Sequence, residues 1–109
     1  MKYLRVLRDG GHESVMPLID QSDYIDTAVL ASGVKEYFTV PTDAQKVLFS
    51  STANVYCKIG TAAVAAIHAA DVIDGSASEL NPVARGVVVG ETISLISPVA
   101  CKIMMAFYR

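Results

Sequence analysis

The chain has 109 residues, enough for one domain that buries about 65% of its unfolded surface around a single core. A net charge of −2, with 18% of residues charged, gives no electrostatic footprint for nucleic acid, and no apolar run approaches the ~20 residues needed to span a bilayer. Two cysteines are too few for a disulfide framework, and 52% hydrophobic residues are more than a small monomer readily covers, which points to contacts between subunits or with partners.

Residues 1–32 are the most polar part, with Asp9, Glu13, Asp20, Asp23 and Asp26 set against Lys2, Arg5 and Arg8. Gly10-Gly11 and Pro17 interrupt it, so it reads as an irregular N-terminal arm that ends in a first strand near residues 24–31. Lys2, Arg5 and Arg8 recur at spacing three and share a face if the segment is helical; Tyr3, Leu4, Val6 and Leu7 suit a short strand instead. Arg5 and Arg8 also fall where a signal peptide needs an unbroken apolar core, so export by that route is not expected.

From residue 34 to the end, 33–109 being the expected sandwich core, the pattern sharpens. "VKEYFTV" alternates Val34, Glu36, Phe38 and Val40 with Lys35, Tyr37 and Thr39, and "PTDA" supplies a turn in which Asp43 can bond back to nearby amides. "QKVLFSS" and "NVYCKIG" follow as two strands, expected to be neighbours in an antiparallel meander. Residues 61–73, "TAAVAAIHAADVI", have the spacing for a helix but little amphipathic contrast, and any helix is confined to residues 61–82. Asp74-Gly75 marks a turn; Ser76 and Glu79 match a capping box, though Pro82 allows about one helical turn after it. Strands then resume as "VVV", "ETISLIS" and "ACKIMMAFYR". Short strands with Pro and Gly punctuation mean an all-β sandwich or barrel.

No catalytic constellation emerges, and the chain is not expected to be an enzyme or to hold a cofactor. His12 and His68 stand apart; Asp71, three residues after His68, is the one ligand-type neighbour, which favours structural histidines over a metal pair. Cys57 and Cys101 lie in apolar strands and read as buried free thiols. Asp20, Asp23 and Asp26 lack the glycine and closing glutamate of a calcium loop, and Gly10-Gly11 is followed by no Lys-Ser or Lys-Thr that would make a phosphate cradle. Tyr37 and Tyr56 have the amphipathic rings that stack on sugars, but as aromatics at the edge of a core they need no such role.

The segments "FTVPTDAQKVLFSSTANVYCKIG", "DGSASELNP" and "ISLISPVACKIMMAFYR", about two-thirds of the chain, resemble a group of small bacteriophage virion proteins. The resemblance implies a single antiparallel β-sandwich, jelly-roll-like, acting as a capsid decoration or cement protein. Such a protein would oligomerise, bind the major capsid protein on the particle surface and be assembled in the reducing bacterial cytoplasm. The competing function is a receptor- or carbohydrate-binding β-sandwich module of a phage tail or fibre, which would need an exposed aromatic platform.

The closing strand carries the association argument. Cys101, Ile103, Met105 and Phe107 alternate with Ala100, Met104, Ala106 and Tyr108, so both faces are apolar, while a two-layer sandwich buries only one face of each sheet. Leaving a Met and a Tyr in water forgoes about 2–4 kcal/mol of burial. A cover is expected, either residues 61–73 or a second copy, with the second copy favoured because the Ala-rich segment has few large side chains. The expected interface is therefore Leu48, Met104, Ala106 and Tyr108, with Lys2, Arg5 and Arg8 of the arm reaching toward the capsid.

Overall fold

A computed structural model of the chain describes residues 1–4, 6–9 and 13–109. The described residues form ten strands: β1 (Val6–Asp9), β2 (Glu13–Ile19), β3 (Tyr24–Leu30), β4 (Glu36–Thr39), β5 (Lys46–Ser51), β6 (Tyr56–Gly60), β7 (Glu79–Leu80), β8 (Ala84–Gly86), β9 (Thr92–Ile96) and β10 (Cys101–Tyr108). Among the described residues there is no helix, hence none long and apolar enough to cross a membrane.

Eight of the strands make two four-stranded antiparallel sheets, ordered β3-β10-β5-β8 and β4-β9-β6-β7. The chain crosses between them at every connection but the one from β6 to β7: β3, β5, β8 and β10 lie in the first, β4, β6, β7 and β9 in the second. Eight strands in this order form a jelly-roll sandwich. The meander expected for residues 46–60 is corrected by this topology. β5 and β6 do not pair; they belong to opposite sheets, and residues 52–55 carry the chain across the core. Alternation of side chains fixes which residues face inward, but leaves the neighbouring strand unspecified.

The core lies between the sheets. Leu30, Val47, Ile103, Met105 and Phe107 from the first sheet meet Cys57, Ile93 and Leu95 from the second, closed by Val40, Val55 and Val87. Their alternation along β10 and β9 is the period-two pattern of strands with one face in the core. The ring of Tyr24 on β3 meets that of Phe107 edge-on at 5.8 Å between centroids.

The connections follow the local chemistry in part. Pro41 accepts a hydrogen bond from the Ala44 amide at 3.2 Å, with Asp43 at φ 72°, so "PTDA" is a turn. The Asp43 carboxylate faces Arg109 at 3.0 Å instead of bonding back to nearby amides. Asp74 accepts from the Ser76 amide and hydroxyl across Gly75, whose φ of 88° suits a residue without Cβ. These two bonds hold the exposed Asp74 carboxyl below its ordinary range. No helix forms after the capping-box match, where Glu79 and Leu80 instead make the short strand β7. "VVV" is also not a strand: β8 ends at Gly86, after which Val87 turns into the core and Val88 and Val89 lie exposed.

The arm expected to be irregular carries an antiparallel two-stranded ribbon, with Val6 opposite Ile19, Leu7 opposite Leu18 and Asp9 opposite Glu13. Among the described residues it forms a sheet of its own, its strands paired with neither sheet of the sandwich. Its two feet are fixed to the end of β10. The Arg109 amide donates to the Lys2 carbonyl at 2.8 Å, and the Tyr108 hydroxyl donates to the Asp20 carbonyl at 2.6 Å. Arg5, Gly10, Gly11 and His12 lie outside the described residues.

Met105 and Met104 are neighbours with opposite surroundings: Met105 is fully buried, Met104 is 39% exposed. Met105→Ala should destabilise the protein by about 2–5 kcal/mol and Met104→Ala by less than about 1 kcal/mol, read from urea unfolding midpoints at equal slope. Equal losses at the two positions would contradict the assigned faces.

Candidate interaction surface

The outer face of the first sheet gathers four of the expected interface residues. Met104, Ala106 and Tyr108 alternate along β10 on the side away from the core, and Leu48 on β5 lies opposite Ala106. On the other side of β10, Met104 is opposite Thr27 and Ala106 opposite Ile25 of β3. Together Ile25, Leu48, Ser50, Met104, Ala106 and Tyr108 line a shallow depression of about 340 Å³.

The chain itself covers one end of this face. Tyr108 is only 4% exposed, because residues 20–22 lie against it. Ser22 is buried there, its hydroxyl donating to the Phe107 carbonyl at 2.6 Å and accepting from the Tyr24 amide at 3.0 Å. The cover over Tyr108 is thus the link from β2 to β3, not residues 61–73. Ala106 is also buried within the single chain. What stays open is Met104, half-buried Leu48, Ile25 and Val29, the last 70% exposed.

Of residues 61–73, those from 65 to 68 are held on the other sheet and its β7 side, while 69–73 are exposed. The Ala65 amide donates to Ser94 Oγ at 2.8 Å, on the outward side of β9, and the Ala66 amide to Ser78 Oγ at 3.0 Å. His68 belongs to this packing: its Nε2 accepts from the Ser78 amide at 2.9 Å, and its ring meets Tyr56 edge-on at 6.0 Å. Lys58 Nζ donates to the Ser76 carbonyl at 2.8 Å. The segment therefore forms an irregular layer without a helix, held by side chains in place of a backbone ladder.

Of the basic residues, Lys2 is exposed at the foot of the ribbon, its amide donating to Asp23 Oδ1 at 3.1 Å. Arg8 falls within β1, and Arg5 lies outside the described residues. Lys2 occupies no helix, so the shared helical face is not formed there. Arg109 is a further cation at this end. It pairs with Asp43 and sits 5.5 Å from the centroid of the Tyr3 ring.

Tyr37 and Tyr56 share the outer face of the second sheet, on either side of β9. Tyr37 is exposed, whereas Tyr56 is packed against His68, so the two rings do not stand free as a stacking platform. Among the described residues, no three His, Cys, Asp or Glu side chains come together as a metal site would require. Comparison with known proteins gives no match: no family model, no curated protein and no solved structure is similar to this chain.

Both cysteines are free and buried. Burial pushes the Cys57 thiol up to about 12, with the Glu79 carboxylate adding to the rise and Arg85 opposing it. A thiol held protonated is a poor nucleophile. Native protein should react slowly with a thiol reagent at pH 8, and denatured protein should yield two equivalents. Because the folded-state value lies above the ordinary 9.0, Cys57 contributes stability that is complete below pH 9 and is lost as the pH rises toward 12. Cys57→Ala should remove that part of the alkaline decline in the unfolding midpoint; an unchanged decline would count against it.

Proposed function

We propose that this chain is a structural component of a bacteriophage particle, a decoration or cement protein that self-associates and bridges subunits of the major capsid protein on the capsid surface. The observation that carries the reading is the open apolar strip of Ile25, Val29, Leu48 and Met104 on the outer face of a sheet whose other face is already packed. Apolar side chains grouped on one face, away from any core, mark a surface made for another protein. Two further points support it. The jelly roll is an architecture used by viral capsid domains, and the segments that resemble phage virion proteins supply β4, β5, β6, β7, β9 and β10 of this fold.

The mechanism requires no chemistry. A protein that binds only the assembled shell lowers the free energy of that state and so raises the force or temperature needed to break it. The sheet offers a rigid apolar face for this, while the ribbon, with Lys2 at its foot and Arg8 on β1, offers a second point of attachment to the shell. Free thiols suit assembly in a reducing cytoplasm.

In particles made from the genome that encodes this chain, the protein should be present at a copy number comparable with that of the capsid protein. Adding it back to particles that lack it should raise their disruption temperature. Met104→Lys, at an exposed position, should weaken both this binding and self-association while leaving the unfolding free energy from urea titration within about 0.5 kcal/mol of the parent. Absence of the protein from purified particles would overturn the reading.

A further inference from the structure

The four sheet edges of the sandwich are unequal. Three are short: β4 has four residues, β7 two and β8 three. On the β7–β8 flank the two edges are also joined by an ion pair between Glu79 and Arg85 at 2.7 Å. The fourth edge, β3, has seven residues, and its register with β10 runs unbroken from Leu30 opposite Cys101 to Tyr24 opposite Phe107. β3 pairs with β10 alone, so its other side is a row of backbone donors and acceptors without a strand partner among the described residues. It contains no Pro, no Lys and no bulge, three of the devices that blunt such an edge; its one charge, Asp26, stands opposite Met105 on the inner side and leaves the outer side uncharged.

We infer that β3 pairs antiparallel with β3 of a second copy across a two-fold axis at Thr27, joining the two β3-β10-β5-β8 sheets into one eight-stranded sheet. This rests on the reading that copies of the chain associate, and it names the seam.

The sequence of β3 selects the register. Centred on Thr27, all seven residues pair: Tyr24 with Leu30, Ile25 with Val29 and Asp26 with Ala28, so the lone carboxylate faces a methyl group. Centred on Asp26, two carboxylates would lie directly opposite each other, which is destabilising. The Thr27 register sets Ile25 against Val29 of the other copy on the outer face, beside Met104. The two open strips thereby become one apolar surface running across the seam. An isologous contact of this kind closes on itself and yields a dimer instead of a filament.

Charge exchange at the axis tests the inference. Thr27 is exposed and on the outer face, so replacing it leaves the core untouched. By sedimentation, the parent chain should be a dimer at micromolar concentration. T27K and T27E, each placing like charges opposite one another, should each weaken it about tenfold or more. A mixture of T27K and T27E should recover a mixed dimer. Thr27→Cys should link two copies by a disulfide on mild oxidation, Cys57 and Cys101 being buried and unavailable.

A parent chain that sediments as a monomer would overturn the seam. So would a dimer unaffected by T27K and T27E, a mixture that fails to recover, or T27C that does not cross-link. None of these outcomes bears on whether the protein is present in particles, which is read separately from their composition.

Discussion

The pairing of β10 with β3 along one side and β5 along the other holds the sandwich together. Residues 24–30 and 46–51 have no other strand long enough to pair with; β8 offers only three residues to β5 and none to β3. β10 also supplies Ile103, Met105 and Phe107 to the core, so its inner face and both of its edges are engaged at once. β9 has the same central place in the second sheet, between β4 and β6. Because β9 and β10 are joined by only residues 97–100, one short stretch of chain sets the relative position of both sheets.

Around this frame, loops are secured by buried serines instead of by further strands. Ser22 ties the link before β3 to the end of β10, and Ser94 holds Ala65 on the second sheet. Ser97 donates to the Asn54 carbonyl at 2.7 Å, fixing the crossing from β5 to β6. Each hydroxyl meets a buried or partly buried backbone group, and leaving such a group unpaired costs about 1–3 kcal/mol. Nothing in the described residues leaves a buried side-chain nitrogen or oxygen unsatisfied.

Much of this was legible in the sequence. Period-two alternation located β4, β5, β6, β9 and β10 and assigned the inner face of β10 correctly, because that pattern depends on burial alone. What it could not convey was the crossing between sheets: the "SSTAN" break reads equally as a hairpin turn or as a bridge over the core. "VVV" failed for a related reason, since an apolar run lacks direction, and here one valine turns inward while two face solvent. The expected interface was only partly open. Burial of Tyr108 depends on a polar link more than eighty positions away in the chain, a contact that no local pattern encodes. Residues 61–73 were ambiguous because alanine supports a helix or an irregular layer equally well once serine side chains take the amide hydrogen bonds.

The alternation of strands between sheets has a bearing on how the chain is made. Among the described strands of the sandwich, only β6 and β7 are consecutive and paired; every other pairing joins distant parts of the sequence. During synthesis, β3 therefore leaves the ribosome with nothing beside it and waits for residues 101–108, while β5 meets only the three residues of β8 before then. No early hairpin can serve as a nucleus for the first sheet, and folds ruled by such distant pairings form slowly, on the order of milliseconds to seconds. Through that interval the nascent chain carries an unpaired β3 and the apolar side of β5, surfaces that attract other chains. Dependence on the closing strand makes folding close to all-or-none in chain length: a nascent chain halted before residue 101 has lost the centre of one sheet, not merely its last strand.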